Sequence, residues 1–211
     1  MVTPFDVSGA LDLDKAAELA TYLVDEQGND ALVISGTTGE SPTTTDAEKS
    51  DLLRVVVDAV GDRAHILAGV GTNDTVHTIH LAEQAAKAGA NGLLVVTPYY
   101  NKPPQSGVLA HFRAVAKATD LPMALYDIPH RAGIAIQTDT LLALAEHDRI
   151  VAVKDAKGDI VASSRVMAET GLAYYSGEDT LYLPLLSAGA VGAVGTSSHF
   201  SGRPTKALIG A

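Results

Sequence analysis

Hydrophobic and polar positions along this chain alternate between two kinds of segment. Short, almost unbroken apolar runs stand at Ala31–Ser35, His65–Val70, Gly92–Pro98, Met123–Asp127, Ile150–Asp155, Leu172–Gly177 and Ala190–Gly195. Runs of this length and continuity predict strands buried on both faces. Between them lie Ala-rich segments with helical spacing: Leu13–Gln27, Thr45–Val60, Thr75–Ala88, Gly107–Thr119, Thr138–Glu146, Ile160–Glu169 and Thr180–Ala188. Thr45 followed by Glu48 predicts a capping box at the start of one helix. Gly89 and Gly171 fall where helix C-caps belong.

Strand starts lie roughly 20 to 35 residues apart, the length of a strand–helix unit. Seven strands are clear, and Val2-Thr3-Pro4 reads as the end of an eighth. No linker or composition break divides the chain. The pattern predicts an α/β fold, a (β/α)8 TIM barrel, as one domain over residues 1–211. The competing architecture is an open doubly wound sheet. Its dinucleotide fingerprint is missing, because the nearest string, Gly69-Val-Gly-Thr-Asn-Asp74, lacks a third glycine. The chain has 211 residues, and such barrels typically run to about 250. The barrel is therefore expected to be incomplete at both ends: its first strand is nearly absent, and Ser201–Ala211 remain for an eighth helix.

Composition narrows the function classes. Fifteen basic against 25 acidic residues give a net charge of −10, which argues against a nucleic-acid partner. The absence of cysteine removes thiolate nucleophiles, disulfides and thiolate metal sites. Neither a leader pattern nor an apolar run near the ~20 residues of a membrane span is visible, so a cytoplasmic protein with no membrane partner is expected.

In a barrel, chemistry gathers at the C-terminal ends of the strands. Gly36-Thr-Thr-Gly-Glu-Ser41 follows one strand, Tyr99-Tyr-Asn101 another, and Tyr126-Asp-Ile-Pro-His-Arg131 a third. Lys154 interrupts the apolar run Val151-Ala-Val153. Desolvated in a barrel interior, its amine would hold a lowered pKa and could attack a carbonyl to form a Schiff base. The alternative is a strand-end lysine whose head reaches water. Glycines beside hydroxyls at Gly36–Ser41 suit a carboxylate or phosphate, or else a simple capped turn. Tyr99, Tyr100 and Tyr126 could relay protons with a hydroxyl such as Thr37, or pack at the barrel rim. Arg131 could grip a carboxylate, or form a surface ion pair. His77, His80 and Glu83 read as an outward helix face. Asp127 and Asp155 end neighbouring strands, and loop roles are preferred to metal binding because no third ligand is evident.

Four motifs in order and spacing, Gly36–Ser41, Thr97-Pro-Tyr-Tyr-Asn101, Tyr126-Asp-Ile-Pro-His-Arg-Ala-Gly133 and Val153-Lys-Asp-Ala-Lys-Gly158, resemble the dihydrodipicolinate synthase family of pyruvate-dependent class I aldolases. The similarity runs from Val2 to about His199, and Ser41–Lys49 is similar to actinobacterial members. The resemblance implies a lyase of lysine and diaminopimelate biosynthesis that condenses pyruvate with aspartate semialdehyde. By position, Lys154 matches the Schiff-base lysine and Tyr126 the proton-relaying tyrosine. Thr37 and Tyr100 match its relay partners, Tyr100 coming from a neighbouring subunit. Thr38 matches the pyruvate-carboxylate ligand, Arg131 the arginine for the semialdehyde carboxylate, and Gly177 and Val194 the lining of the pyruvate end. Neither metal nor organic cofactor is implied, and a homotetramer is.

Ser41, Asn73, His77 and Tyr99 match positions of a lysine-inhibition site at a subunit interface. His77 stands where inhibited relatives carry Glu, which implies a vestigial site. The resemblance leaves alternatives: an N-acetylneuraminate or 2-keto-3-deoxy-sugar-acid lyase using the same imine, a metal-dependent barrel hydrolase, or an inactive truncated paralogue.

Overall fold

A computed structural model describes all 211 residues. The strands are β1 (Ala31–Ile34), β2 (His65–Gly69), β3 (Gly92–Val96), β4 (Met123–Asp127), β5 (Ile150–Asp155), β6 (Ala173–Ser176) and β7 (Gly192–Ala193). The helices are α1 (Leu13–Thr21), α2 (Asp46–Val60), α3 (Thr75–Lys87), α4 (Gln105–Ala116), α5 (Pro129–Ala132), α6 (Thr138–Ala145), α7 (Ile160–Glu169), α8 (Tyr182–Ser187) and α9 (Ser198–Ile209). All seven strands are parallel and lie side by side in chain order. That order, with helices between successive strands, is the wall of a (β/α)8 barrel. It is not the reversing order of a doubly wound sheet.

Local chemistry explains the element ends. Thr45 and Glu48 form the capping box reciprocally at α2, with Thr45 N donating to Glu48 Oε2 at 2.7 Å. Asp74 caps α3 and Asp159 caps α7. Gly89 takes a left-handed φ of 91° just past α3. Gly171 does not play that part: the extended Thr170 ends α7, its hydroxyl donating to the Val166 carbonyl at 2.7 Å. The helix expected over Leu13–Gln27 changes after Thr21 into a wider π turn, Tyr22–Glu26. The closing helix α9 begins earlier than expected and kinks at Ser201. Gly202 lets α9 approach that π turn, its N–H donating to Gln27 Oε1 at 3.0 Å; a Cβ there would stand 2.5 Å from the Gln27 carbonyl oxygen.

The core lies between the outer face of the sheet and the helices, built from Leu52, Val56, Ile66, Leu93, Phe112, Leu125, Ile136 and their neighbours. A smaller inner cluster, Leu94, Tyr126, Ile128, Ala132 and Ala156, sits among the strand ends. β3 and β4 are nearly continuously buried. In β1, β2 and β6, burial alternates instead. The reason is the seam between β1 and β7, which do not pair. Ala31, Val33, His65, Leu67 and Tyr175 line the cavity that opens there. Residues 1–3 cross this seam without joining the sheet, which corrects the expectation of a strand end at Val2-Thr3-Pro4. The Met1 nitrogen donates to the Val33 carbonyl at 2.8 Å and the Thr3 hydroxyl to the Gly39 carbonyl at 2.6 Å.

Candidate active site

One irregularity in the sheet sets the site. Met123 pairs with Ile150, but Ala124 pairs with Ala152, so Val151 is an extra residue in β5. A bulge of one residue exchanges the faces of everything beyond it. Here it brings Lys154 opposite Tyr126, and Asp155 opposite Asp127. Without it, Tyr126 would face Val153.

Lys154 Nζ lies 4.2 Å from the centre of the Tyr126 ring. Burial lowers the lysine pKa to about 8, and no counter-charge offsets it. An ammonium over a ring face is favourable, but less so than full hydration. An appreciable share of the amine is therefore neutral near pH 8, as a nucleophile requires. Gly177 on the next strand end makes the space for this side chain. A Cβ there would stand 3.0 Å from Lys154 Cε and 3.1 Å from Cγ.

Tyr126 is 6% exposed. Burial raises its phenol pKa; the Thr37 hydroxyl and the Arg131 charge pull it back, and Glu178 adds to the rise. The phenol thus stays protonated at neutral pH and can give and retake a proton. After β1, the N–H groups of Gly39, Glu40 and Ser41 close turns onto Gly36 and Thr37 carbonyls, while those of Thr37 and Thr38 find no protein acceptor. Two adjacent free N–H groups beside hydroxyls form a cradle for a small anion. Thr38 Oγ1 also lies 3.0 Å from Thr196 Oγ1, joining the loops after β1 and β7.

These parts share one cavity of about 810 Å³, whose lining includes Thr37, Thr38, Tyr126, Arg131, Lys154, Gly177 and Val194. Tyr100 is not part of it: it is 86% exposed and held at a left-handed φ of 70°. Ser41, Asn73, His77 and Tyr99 also lie outside the lining. His77 Nε2 is 2.9 Å from Asp46 Oδ2. Asp127 and Asp155 point away from the cavity into the wall. Asp155 accepts from the Lys157 N–H at 2.8 Å and from the Ser163 hydroxyl, and Asp127 faces Lys157. They are loop supports, as preferred from the sequence.

Sequence reasoning missed the floor beside Gly195. Tyr182 donates to Asp179 Oδ1 at 2.6 Å, and a Cβ on Gly195 would collide with that phenol. Glu178 and His130 are also in the lining; both belong to strand-end segments visible in the sequence, His130 within the Tyr126–Gly133 motif, but their residue types alone pointed to no role.

Parallel strands in barrel order, with chemistry collected at their C-terminal ends, define the class as a (β/α)-barrel protein of the aldolase type. The family model for the dihydrodipicolinate synthetase family matches residues 1–211, and the chain belongs to that family. A 4-hydroxy-tetrahydrodipicolinate synthase of Acidothermus cellulolyticus is 70% identical over the whole chain, which spans 68% of that relative's length. The dihydrodipicolinate synthase DapA-2 of Bacillus anthracis superposes with a TM-score of 0.97 at 44% identity, covering 100% of this chain and 73% of that one. The Acinetobacter baumannii enzyme complexed with pyruvate superposes with a TM-score of 0.95 at 35% identity, covering 100% and 72%.

Proposed function

We propose that this chain is a 4-hydroxy-tetrahydrodipicolinate synthase, condensing pyruvate with L-aspartate 4-semialdehyde. The observation that carries the reading is Lys154: a desolvated amine with no counter-charge, lying over Tyr126 inside the strand-end cavity. Its neutral form adds to the C2 carbonyl of pyruvate. Loss of water leaves a protonated imine, which serves as the electron sink. Removal of a proton from C3 gives an enamine, and that carbon attacks the aldehyde of the second substrate. The alkoxide takes a proton, and the amine of the adduct displaces Lys154 to close the ring. Tyr126 moves protons in these steps, relayed through Thr37 and through Tyr100 of a neighbouring subunit. Thr37 and Thr38 N–H groups, with the Thr38 hydroxyl, hold the pyruvate carboxylate. Gly177 and Val194 line that end, and Arg131 receives the carboxylate of the semialdehyde. The exposure of Tyr100 is consistent with its serving a second copy, and a homo-oligomer follows.

Borohydride trapping with pyruvate tests the reading. Reduction should fix a pyruvate adduct on Lys154, block tryptic cleavage there and leave Ile150–Lys157 as one modified peptide in the mass spectrum. Folded protein without that peptide would refute it.

Feedback inhibition by lysine is expected to be weak. At the positions of the matching regulatory site, His77 already engages Asp46, and a histidine supplies no carboxylate for an incoming ammonium. Initial rates should be insensitive to sub-millimolar lysine; half-inhibition in that range would contradict a vestigial site.

A further inference from the structure

Two charged side chains that this chemistry does not use are buried directly behind the site. Asp127 follows Tyr126, and Lys157 lies three residues after Lys154. Lys157 Nζ stands 3.2 Å from Asp127 Oδ2, with the two side chains 13% and 1% exposed. A pair this dry gives up much of the hydration of both ions, and an apolar pair of equal volume often serves stability as well. The arrangement offers geometry instead.

Both side chains converge on one residue, Ile136. Its N–H donates to Asp127 Oδ1 at 3.1 Å, and its carbonyl accepts from Lys157 Nζ at 3.2 Å. Residues 128–135 therefore form a loop with both feet pinned at one point. The loop holds α5 and carries Arg131 to the cavity mouth. Lys157 is itself anchored to the lysine strand: its N–H donates to Asp155 Oδ1 at 2.8 Å, and Asp155 pairs in register with Asp127. The Ala156 N–H reaches the Asp127 carbonyl at 2.9 Å. The reference frame for the loop is thus the end of β5, the strand that bears Lys154.

We propose that Lys157 is a positioning residue: with Asp127 it staples the 127–136 loop at Ile136 and so fixes the Arg131 guanidinium relative to Lys154 for the carboxylate of the aldehyde substrate. This rests on the reading of the site as a pyruvate–semialdehyde synthase. A guanidinium displaced by about 1 Å binds and orients its carboxylate poorly, and such a misplacement can cost up to about a hundredfold. Lys154, Thr37 and Thr38, which take pyruvate, lie outside this loop, so pyruvate binding and adduct yield are left intact.

The test compares wild type with K157M and with D127N/K157M. Hydrogen exchange of residues 128–136 is measured without substrate. Borohydride trapping and KM for each substrate follow. In K157M the loop amides should exchange at least about tenfold faster while β3 and β4 stay protected. KM for the semialdehyde should rise about tenfold, with pyruvate KM and adduct yield unchanged. K157M strands a buried carboxylate and should lose thermal stability on that account alone. D127N/K157M removes that charge and should regain the stability while keeping the raised semialdehyde KM. Unchanged loop exchange in K157M overturns the proposal. So does a parallel rise in both KM values, or a double variant that restores the semialdehyde KM. A wild type that traps no pyruvate would refute the assigned reaction, and loop exchange alone would then decide whether the staple exists.

Discussion

Lys154 shows how much a single residue's surroundings decide. Its sequence neighbours, Val153 and Ala152, declare a buried strand, but a strand-end lysine usually reaches water. The structure removes that option by placing the amine over Tyr126 and under no carboxylate. The pH dependence follows. The folded-state pKa of about 8 lies below the ordinary lysine value of 10.5. The native state therefore sheds its proton first, and the unfolded state binds more protons between those two values. Stability from this group rises with pH across that window and is depressed below it. Imine formation, followed by stopped-flow with pyruvate and borohydride quench, should accelerate with pH and level off above about 8. K154M should trap nothing and should be more stable at pH 7 by about 1–3 kcal/mol in urea denaturation, because a desolvated charge has been removed. A less stable K154M would mean that the lysine is a structural contact and not a strained functional one.

Elements were legible where local chemistry settles them. All seven strands and the capping box of α2 follow from runs and spacings visible in the residues. T45A removes the hydroxyl that caps the Glu48 N–H and leaves the residue-45 N–H on the Glu48 carboxylate; it should cost about 1 kcal/mol in a urea melt, with pyruvate KM unchanged, since α2 contributes nothing to the cavity lining. Other features depend on partners distant in the chain. The bulge at Val151 is set by pairing with β4, and nothing in Ile150–Asp155 announces it. Gly171 was misread because a glycine after a helix suffices for a left-handed cap only when no other group satisfies the last carbonyls. Here Thr170 does so with its hydroxyl.

The whole molecule is a parallel wall curled about a cavity, and the proposed active site draws on a residue outside that cavity. Thr37, Thr38, Tyr126, Arg131, Lys154, Gly177 and Val194 share a cavity; Tyr100 stands apart in solvent. Subunit exchange should therefore rescue activity. Y100F and K154M, each expected to lose about 10²-fold or more alone, should recover activity when mixed under conditions that reassort subunits. A hybrid then contains one site with both native groups. Mixtures no more active than their components would place Tyr100 outside the reaction.

The sequence by itself determined the parallel barrel order, because each βα unit is a local pattern of runs, caps and turns that forms much the same way in any context. It also determined which residue types wait at the strand ends. Tertiary structure alone decided which of them meet. The Tyr126–Lys154 pairing depends on a one-residue bulge, the space for the lysine on a missing Cβ at Gly177, and the placement of Arg131 on a lysine and an aspartate thirty residues apart in sequence. Desolvation is a property of everything around a group. No stretch of chain carries it until the strands have paired.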